Sequence, residues 1–234
     1  MTFTLGPKAI SAGYGLAAFD QIGSTNAEAM SRARNGERGP MWFVTTEQTA
    51  GRGRRQRAWI APRGNLASSV LEVMDVSPAV AATMSFAFGL AHECALQRVS
   101  VEANLRLAGS DQLKYLLKWP NDILVRGQKL CGLLVEAEAV TDGGLAVVAG
   151  IGTNIIAAPE GTPTPATSLA ALGVHVGGEG GEVLAAQRPT LRRVLETELG
   201  DELAARIQDQ HIVMIFGPVK SREVGDFVPC FHDF

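Results

Sequence analysis

Seven consecutive residues, Gly51-Arg52-Gly53-Arg54-Arg55-Gln56-Arg57, carry four guanidiniums on a chain loosened by two glycines. Such charges repel one another unless an anion is present, so the segment is expected to be mobile alone and ordered by phosphate. The glycines also let the backbone itself approach an anion. The plainer alternative is a solvated basic loop, touching nucleic acid. The spacing fits neither G-x-x-x-x-G-K-[ST] nor G-x-G-x-x-G, which removes P-loop and dinucleotide-fold sites. A second stretch, Leu117-Lys118-Trp119-Pro120-Asn121-Asp122, ends an apolar run on a lysine and then turns through an amide and a carboxylate. Held by a strand end, Lys118 is a fixed cation suited to a developing oxyanion or an α-phosphate. As a snorkelling edge residue beside an ordinary turn it would do no chemistry. In a third, Gly150-Ile151-Gly152-Thr153-Asn154, paired glycines at a strand end either admit another backbone or a ligand or simply let the chain turn a corner.

Other reactive side chains add little. No G-x-S-x-G elbow is present. His92 falls on a buried helix, and His175, His211 and His232 form no spaced pair, so no zinc site is expected. Cys94, Cys131 and Cys230 lie far apart without a C-x-x-C pair and read as reduced, buried thiols.

The elements that must position these residues follow from periodicity. Asp20 to Gly36 reads as an entry loop and a helix, with Thr25 as cap, Glu28 completing a capping box, and Ala27, Met30 and Ala33 as its apolar stripe. Trp42 to Thr46 and Leu66 to Val73 read as strands, and Pro78 to about Arg98 as a mostly buried helix. Ser100 to Gln112 reads as a polar connection. Lys114 to Lys118, Ile123 to Val125, Leu130 to Glu136 and Leu145 to Ile151 are apolar runs joined by turn residues. Strands in hairpin succession with helices early and late predict an α+β fold on a mixed or antiparallel sheet flanked by helices. Pro159 to Gly181 reads as a long surface loop with a short turn at Ser168 to Leu172, Thr190 to Gln210 as an amphipathic helix, and Ile212 to Phe216 as a strand.

The chain has 234 residues, 46% hydrophobic and 19% charged, a net charge of −3 and a mean hydropathy of +0.11. That excludes disorder and allows one domain with at most a small second one. The acidic balance argues against a chain-wide nucleic-acid surface. The N-terminal stretch is a poor signal peptide, and no run of about 20 apolar residues spanning a bilayer is expected, which predicts a cytoplasmic protein without membrane contact.

Together the pieces resemble the biotin protein ligases. Ser24-Thr25-Asn26, the run from Thr46 through Gln48 and Ala50 to Arg55, Arg57 and Trp59, Lys118 to Asp122, Lys129-Leu130-Cys131-Gly132-Leu133-Leu134-Val135-Glu136, and Gly150 to Asn154 occur in that family's order over residues 18 to 173. The resemblance implies the biotin/lipoate ligase fold, similar to class II aminoacyl-tRNA synthetases. It implies that biotin and Mg-ATP give biotinyl-5′-AMP, from which biotin passes to a lysine of a biotin carboxyl carrier domain. Ser24, Thr25, Asn26, Gln48, Gly51, Arg52, Lys118, Gly132 and Leu134 would hold biotin, with Leu133 and Leu134 offering apolar walls. Arg54, Arg55, Arg57, Trp59, Asn121, Lys129 and Asn154 would hold the nucleotide. Asp122 with Asn121 would shape the metal and phosphate side. Lys118, Arg52 and Arg54 would act in catalysis, the magnesium arriving with ATP and no protein metal ligand being assigned.

Gln56 stands where the family usually has a glycine. The motifs begin too near residue 1 for the winged helix of repressor members, so no DNA binding is expected. A homodimer is compatible with the family. Residues 1–181 are assigned to the catalytic domain. Residues 182–234 are an atypical or truncated segment rather than a full SH3-like barrel. The alternatives are a lipoate ligase of the same superfamily and a catalytically weak biotin-binding or carrier-interaction protein.

Overall fold

The computed structural model describes residues 3–102, 113–141 and 143–174. The expected helix at 190–210, the strand at 212–216, Cys230 and the C-terminal segment lie outside the described residues. The elements are α1 (Pro7–Ser11), β1 (Gly15–Phe19), α2 (Thr25–Arg34), β2 (Met41–Thr45), a 3-10 turn at Arg54–Gln56, β3 (Leu66–Met74), α3 (Pro78–Glu102), β4 (Tyr115–Lys118), β5 (Asp122–Val125), β6 (Gln128–Ala139) and β7 (Leu145–Thr153). They form one seven-stranded sheet in the order β1-β2-β3-β7-β6-β5-β4. Only the β1–β2 pair is parallel, so the sheet is mixed, as the turn pattern predicted.

Alternation along the strands separates two cores. Trp42, Val70, Val147, Ala149, Ile151 and Leu133 face α3, whose Ala81, Met84, Phe88, Ala91 and Ala95 are buried against them. Phe43, Leu71, Ala146 and Val148 face α2 through Ala29, Met30 and Ala33. The segment Pro78–Gln97 is long and apolar enough by composition to cross a membrane, contrary to expectation. Here that apolar surface is largely spent against the sheet, as in a core helix of a folded domain.

Several boundaries differ from the reading of the sequence. Ser24, not Thr25, caps α2: its extended backbone leaves Oγ to accept from Ala27 N at 3.4 Å. Glu28 closes no capping box and pairs instead with Arg32 at 2.9 Å, one helical turn on. Helix α3 runs to Glu102, into the expected connection. Helix α1 and strand β1 carried no recognised signal, because they are five residues each and β1 begins on a glycine.

Candidate active site

Three missing side chains create the site. On the α2 face of the sheet Gly132 of β6 stands opposite Gly152 of β7, and Leu134 opposite Gly150. A Cβ on Gly152 would come within 2.5 Å of Trp59 Cζ2, and one on Gly132 within 2.9 Å of Trp59 Cζ3. A Cβ on Gly150 would overlap the Asn26 amide. The indole therefore lies flat across one pair of glycines, and Asn26 occupies the space beside the third. The close approach expected of the paired glycines is made by side chains from elsewhere in the chain.

Over this floor opens a cavity of about 780 Å³, within the size range of small-molecule sites. Ser24, Thr25, Asn26 and Gln48 line one end. Arg52, Arg54, Arg55 and Arg57 form the roof, and Lys118 to Asp122 with Lys129 form the far wall. Residues 159–164 and Ala166 close the remaining side, an assignment not made from the sequence because a Gly/Pro/Thr-rich stretch signals only a loop. That stretch is tied down by backbone bonds from Lys129 N to Pro165 O (2.7 Å) and from Thr167 N to Lys129 O (2.9 Å).

The arginine segment folds as a small hairpin. Trp59 N donates to Gly51 O at 2.9 Å and Gly53 N to Arg57 O at 2.8 Å. Gly51 is required at the base, where a Cβ would lie 2.5 Å from Trp59 O. At the tip Arg55 and Gln56 both take left-handed backbone angles, φ 55° and 59°. The hairpin docks through two side chains: Arg52 Nη2 lies 3.0 Å from Glu136 Oε2, and Arg54 Nη1 donates to Asn121 Oδ1 at 3.3 Å.

At the polar end, Thr25 N donates to Gln48 Oε1 at 2.8 Å, with Thr25 Oγ1 3.1 Å from the same oxygen. Both amide hydrogens of Asn26 are used within the protein, by Leu134 O (3.1 Å) and Glu136 Oε2 (2.8 Å). Leu133 and Leu134 both border the cavity, and Leu133 also belongs to the α3-facing core.

On the far wall Asn121 Nδ2 donates to Leu133 O at 3.0 Å, and Asn121 O accepts from Leu133 N at 2.8 Å, so the turn after β4 is pinned to β6. Lys118, the last residue of β4, is exposed at the cavity edge. Lys129 Nζ pairs with Asp122 Oδ1 at 2.6 Å and sits 5.5 Å over the Trp59 ring. Asn154 is buried, with Nδ2 donating to Thr167 O at 3.0 Å and Oδ1 without a partner among the described residues. Trp59 Nε1 is likewise unpartnered.

With Lys129 and Arg52 balanced by carboxylates, Arg54, Arg55, Arg57 and Lys118 make no ion pair among the described residues. Four uncompensated cations around one cavity, on a chain of net charge −3, make it a site for anions.

Behind the floor, His92 of α3 is fully buried, its Nε2 2.9 Å from Thr153 Oγ1 and 3.2 Å from Cys131 Sγ. Burial pushes its pKa down to about 3 and that of the Cys131 thiol up to about 12, so both are neutral. Asn65, missed in the sequence, accepts from Ile155 N (3.0 Å) and Ile156 N (2.9 Å) and fixes the chain's exit from β7. Its position just before a strand was the only available signal.

The sequence model of the biotin/lipoate A/B protein ligase family matches residues 19–154, more than half of the chain and the span that holds most of the cavity. The chain belongs to this family. It is 39% identical over 137 residues to the biotin–[acetyl-CoA-carboxylase] ligase of Paracoccus denitrificans, covering 58% of this chain and 53% of that protein. The Mycobacterium tuberculosis protein of the same name is 38% identical over 171 residues, covering 70% and 59%. The chain thus spans between 53% and 59% of the length of these relatives. Biotin protein ligase from Leishmania major, solved with biotinyl-5-AMP, superposes with a TM-score of 0.58 at 26% identity, over 94% of this chain and 87% of that one. In this chain the arginine run forms the hairpin over the cavity, with Gln56 at its tip at φ 59°.

Proposed function

We propose that this chain is an ATP-dependent biotin protein ligase. The carrying observation is the convergence of four uncompensated cations, the Thr25–Gln48 polar pair and the three-glycine floor on one cavity. In the first half-reaction a biotin carboxylate oxygen attacks the α-phosphorus of Mg-ATP. A P–O bond forms to the carboxylate, the bond to the β-phosphate breaks, and pyrophosphate leaves. Two anions must be brought together, so neutralisation and positioning supply most of the acceleration. Lys118 is assigned to the oxygen shared by carboxylate and α-phosphate, where charge accumulates.

Gln48, Thr25 and Ser24 are assigned to the ureido ring, which needs fixed donors and acceptors, and Leu134 to the thiophane ring and chain, while Gly132, expected there too, lies beneath the Trp59 indole. Trp59 and Asn154 are assigned to adenine, because the unpartnered Asn154 Oδ1 asks for a donor such as the 6-amino group. Arg54, Arg55 and Arg57 cover the phosphates and keep water from the mixed anhydride.

Magnesium enters as part of the ATP substrate. Among the described residues no cluster of three or more His, Cys, Asp or Glu side chains offers it a protein cage, and Asp122 is already committed to Lys129. In the second half-reaction the Nζ of a carrier-domain lysine attacks the acyl carbon, AMP leaves, and the nitrogen loses a proton to give the amide.

The curated relatives favour biotin over lipoate. The test incubates the chain with ATP, magnesium and either acid, follows pyrophosphate and adenylate, and then adds a biotin carboxyl carrier domain. Biotinyl-5′-AMP and a mass gain of one biotinyl group on the acceptor are expected. Adenylate from lipoate alone, or biotin binding without adenylate, would refute the reading.

A further inference from the structure

Glu136 is a carboxylate that the reaction does not call for in a site built for anions, yet it bonds two residues that line the cavity, Asn26 and Arg52. Its Oε2 takes Asn26 Nδ2 at 2.8 Å and Arg52 Nη2 at 3.0 Å. Asn26 Oδ1 in turn accepts from the fully buried Ser69 hydroxyl at 2.6 Å, and that hydroxyl lies 2.7 Å from Thr25 Oγ1. Thr25 N reaches Gln48. The hydrogen bonds therefore run Gln48, Thr25, Ser69, Asn26, Glu136, Arg52, and the backbone from Arg52 back to Gln48 closes the circuit. Arg52 and Gln48 flank Gly51, the base of the arginine hairpin. Of the four arginines, Arg52 is the one with a carboxylate partner among the described residues.

An exposed ion pair holding two free side chains contributes little. This one differs because the Asn26 bond has already immobilised the carboxylate, so Arg52 alone loses freedom on pairing. We propose that Glu136 is a positioning residue: it clamps Arg52 and so couples the hairpin's root to the vitamin-recognising end of the cavity, slowing escape of the bound adenylate. Asn26 and Ser69 transmit that coupling. Asn26, whose amide hydrogens are spent, acts as a joint in this circuit. This inference rests on the adenylate-forming reading above.

The test measures loss of pre-formed biotinyl-5′-AMP from the full chain in four proteins: the parent, Glu136→Gln, Arg52→Gln and the double variant. Glutamine keeps an acceptor for Asn26 while losing the charge. Each single variant is expected to release adenylate about 5-fold faster, and the double variant no faster than Arg52→Gln alone, because both remove one coupling. A structural role without the clamp would lower the melting temperature without this pattern. Release by Glu136→Gln at the parental rate, or a double variant showing the product of the two single effects, overturns the proposal. Should Glu136→Gln melt below the assay temperature, Glu136→Asp, with its arm a methylene shorter, replaces it under the same expectation. A parent that makes no adenylate would sink the function itself; a parent that does, with unaffected variants, sinks only the clamp.

Discussion

The tip of the arginine hairpin puts a side chain where the backbone asks for none. Gln56 sits at φ 59° directly after Arg55 at φ 55°, and its side chain is exposed. A non-glycine residue held in the left-handed region costs about 1 kcal/mol or more. Open forms of the hairpin are free of that cost, so Gln56 biases the segment away from its docked state by about 5-fold.

Substitutions should grade the effect. Gln56→Asn keeps a side chain but visits the left-handed region more readily, and should favour the docked hairpin by about 0.5–1 kcal/mol, or roughly 2- to 5-fold. Gln56→Val, with a branched Cβ, should disfavour it by about 1 kcal/mol, near 5-fold. Gln56→Gly removes the strain entirely but also loosens the open state by about 0.4–1 kcal/mol, so its gain should be no larger than that of asparagine. The four arginines make trypsin a reporter. Under conditions where closing outpaces cleavage, nicking between Arg52 and Arg57 follows the open population. Release of biotinyl-5′-AMP should rank the variants in the same order. If valine is cut no faster than the parent, or asparagine no slower, the strain does not control docking and the argument fails.

Three further outcomes are expected. Lys118→Ala should slow adenylate synthesis about 10²- to 10³-fold while changing biotin affinity only a few-fold, measured by single-turnover kinetics against equilibrium titration; equal losses in both would remove Lys118 from the chemistry. Gly152→Ala places a methyl within 2.5 Å of Trp59 Cζ2, so the indole must leave the floor. About 1–3 kcal/mol of stability and a large increase in the KM for ATP should follow, with a red shift in tryptophan emission. Burial holds His92 near 3 against an ordinary 6.5, so the unfolded chain takes up its proton first. The stability it confers is complete above about pH 6.5 and drains as pH falls towards 3, about 2 kcal/mol being lost by pH 5. Urea unfolding at pH 8 and pH 5 should show that loss in the parent and not in His92→Gln.

The helices and hairpin strands were legible because their apolar residues recur with the right period over enough length: α3, β3, β6 and β7 fall within a few residues of their expected places. α1 and β1 were not, since five residues carry too little periodicity to stand out. The site was legible as motifs: apart from Gly51, which sits at the hairpin base, the expected residues line one cavity from five separate stretches of chain. What could not be read was which neighbour each polar group would choose. Ser69 looks like any strand serine, Asn65 like any loop asparagine, and the pairing of Glu136 with Arg52 spans 84 residues. Such choices depend on strand register and on where backbone carbonyls are left over, neither of which is local.

Thr25 and Asn26 show how sharply that choice divides neighbours. They are the first two residues of α2, about 100° apart around the helix axis, so they face different surroundings. Thr25 turns towards Gln48 and the open cavity, whereas Asn26 turns into the sheet, where Gly150 leaves a gap the width of a side chain. An asparagine filling that gap must satisfy a buried amide on every side, and Leu134 O, Glu136 and Ser69 are placed to do so. Replacing Gly150 would evict Asn26, orphan the Ser69 hydroxyl and free the carboxylate that holds Arg52. A backbone position with no functional group of its own thus controls the charge at the opposite edge of the cavity, because in a close-packed interior the absence of a side chain is what fixes the position of the next one.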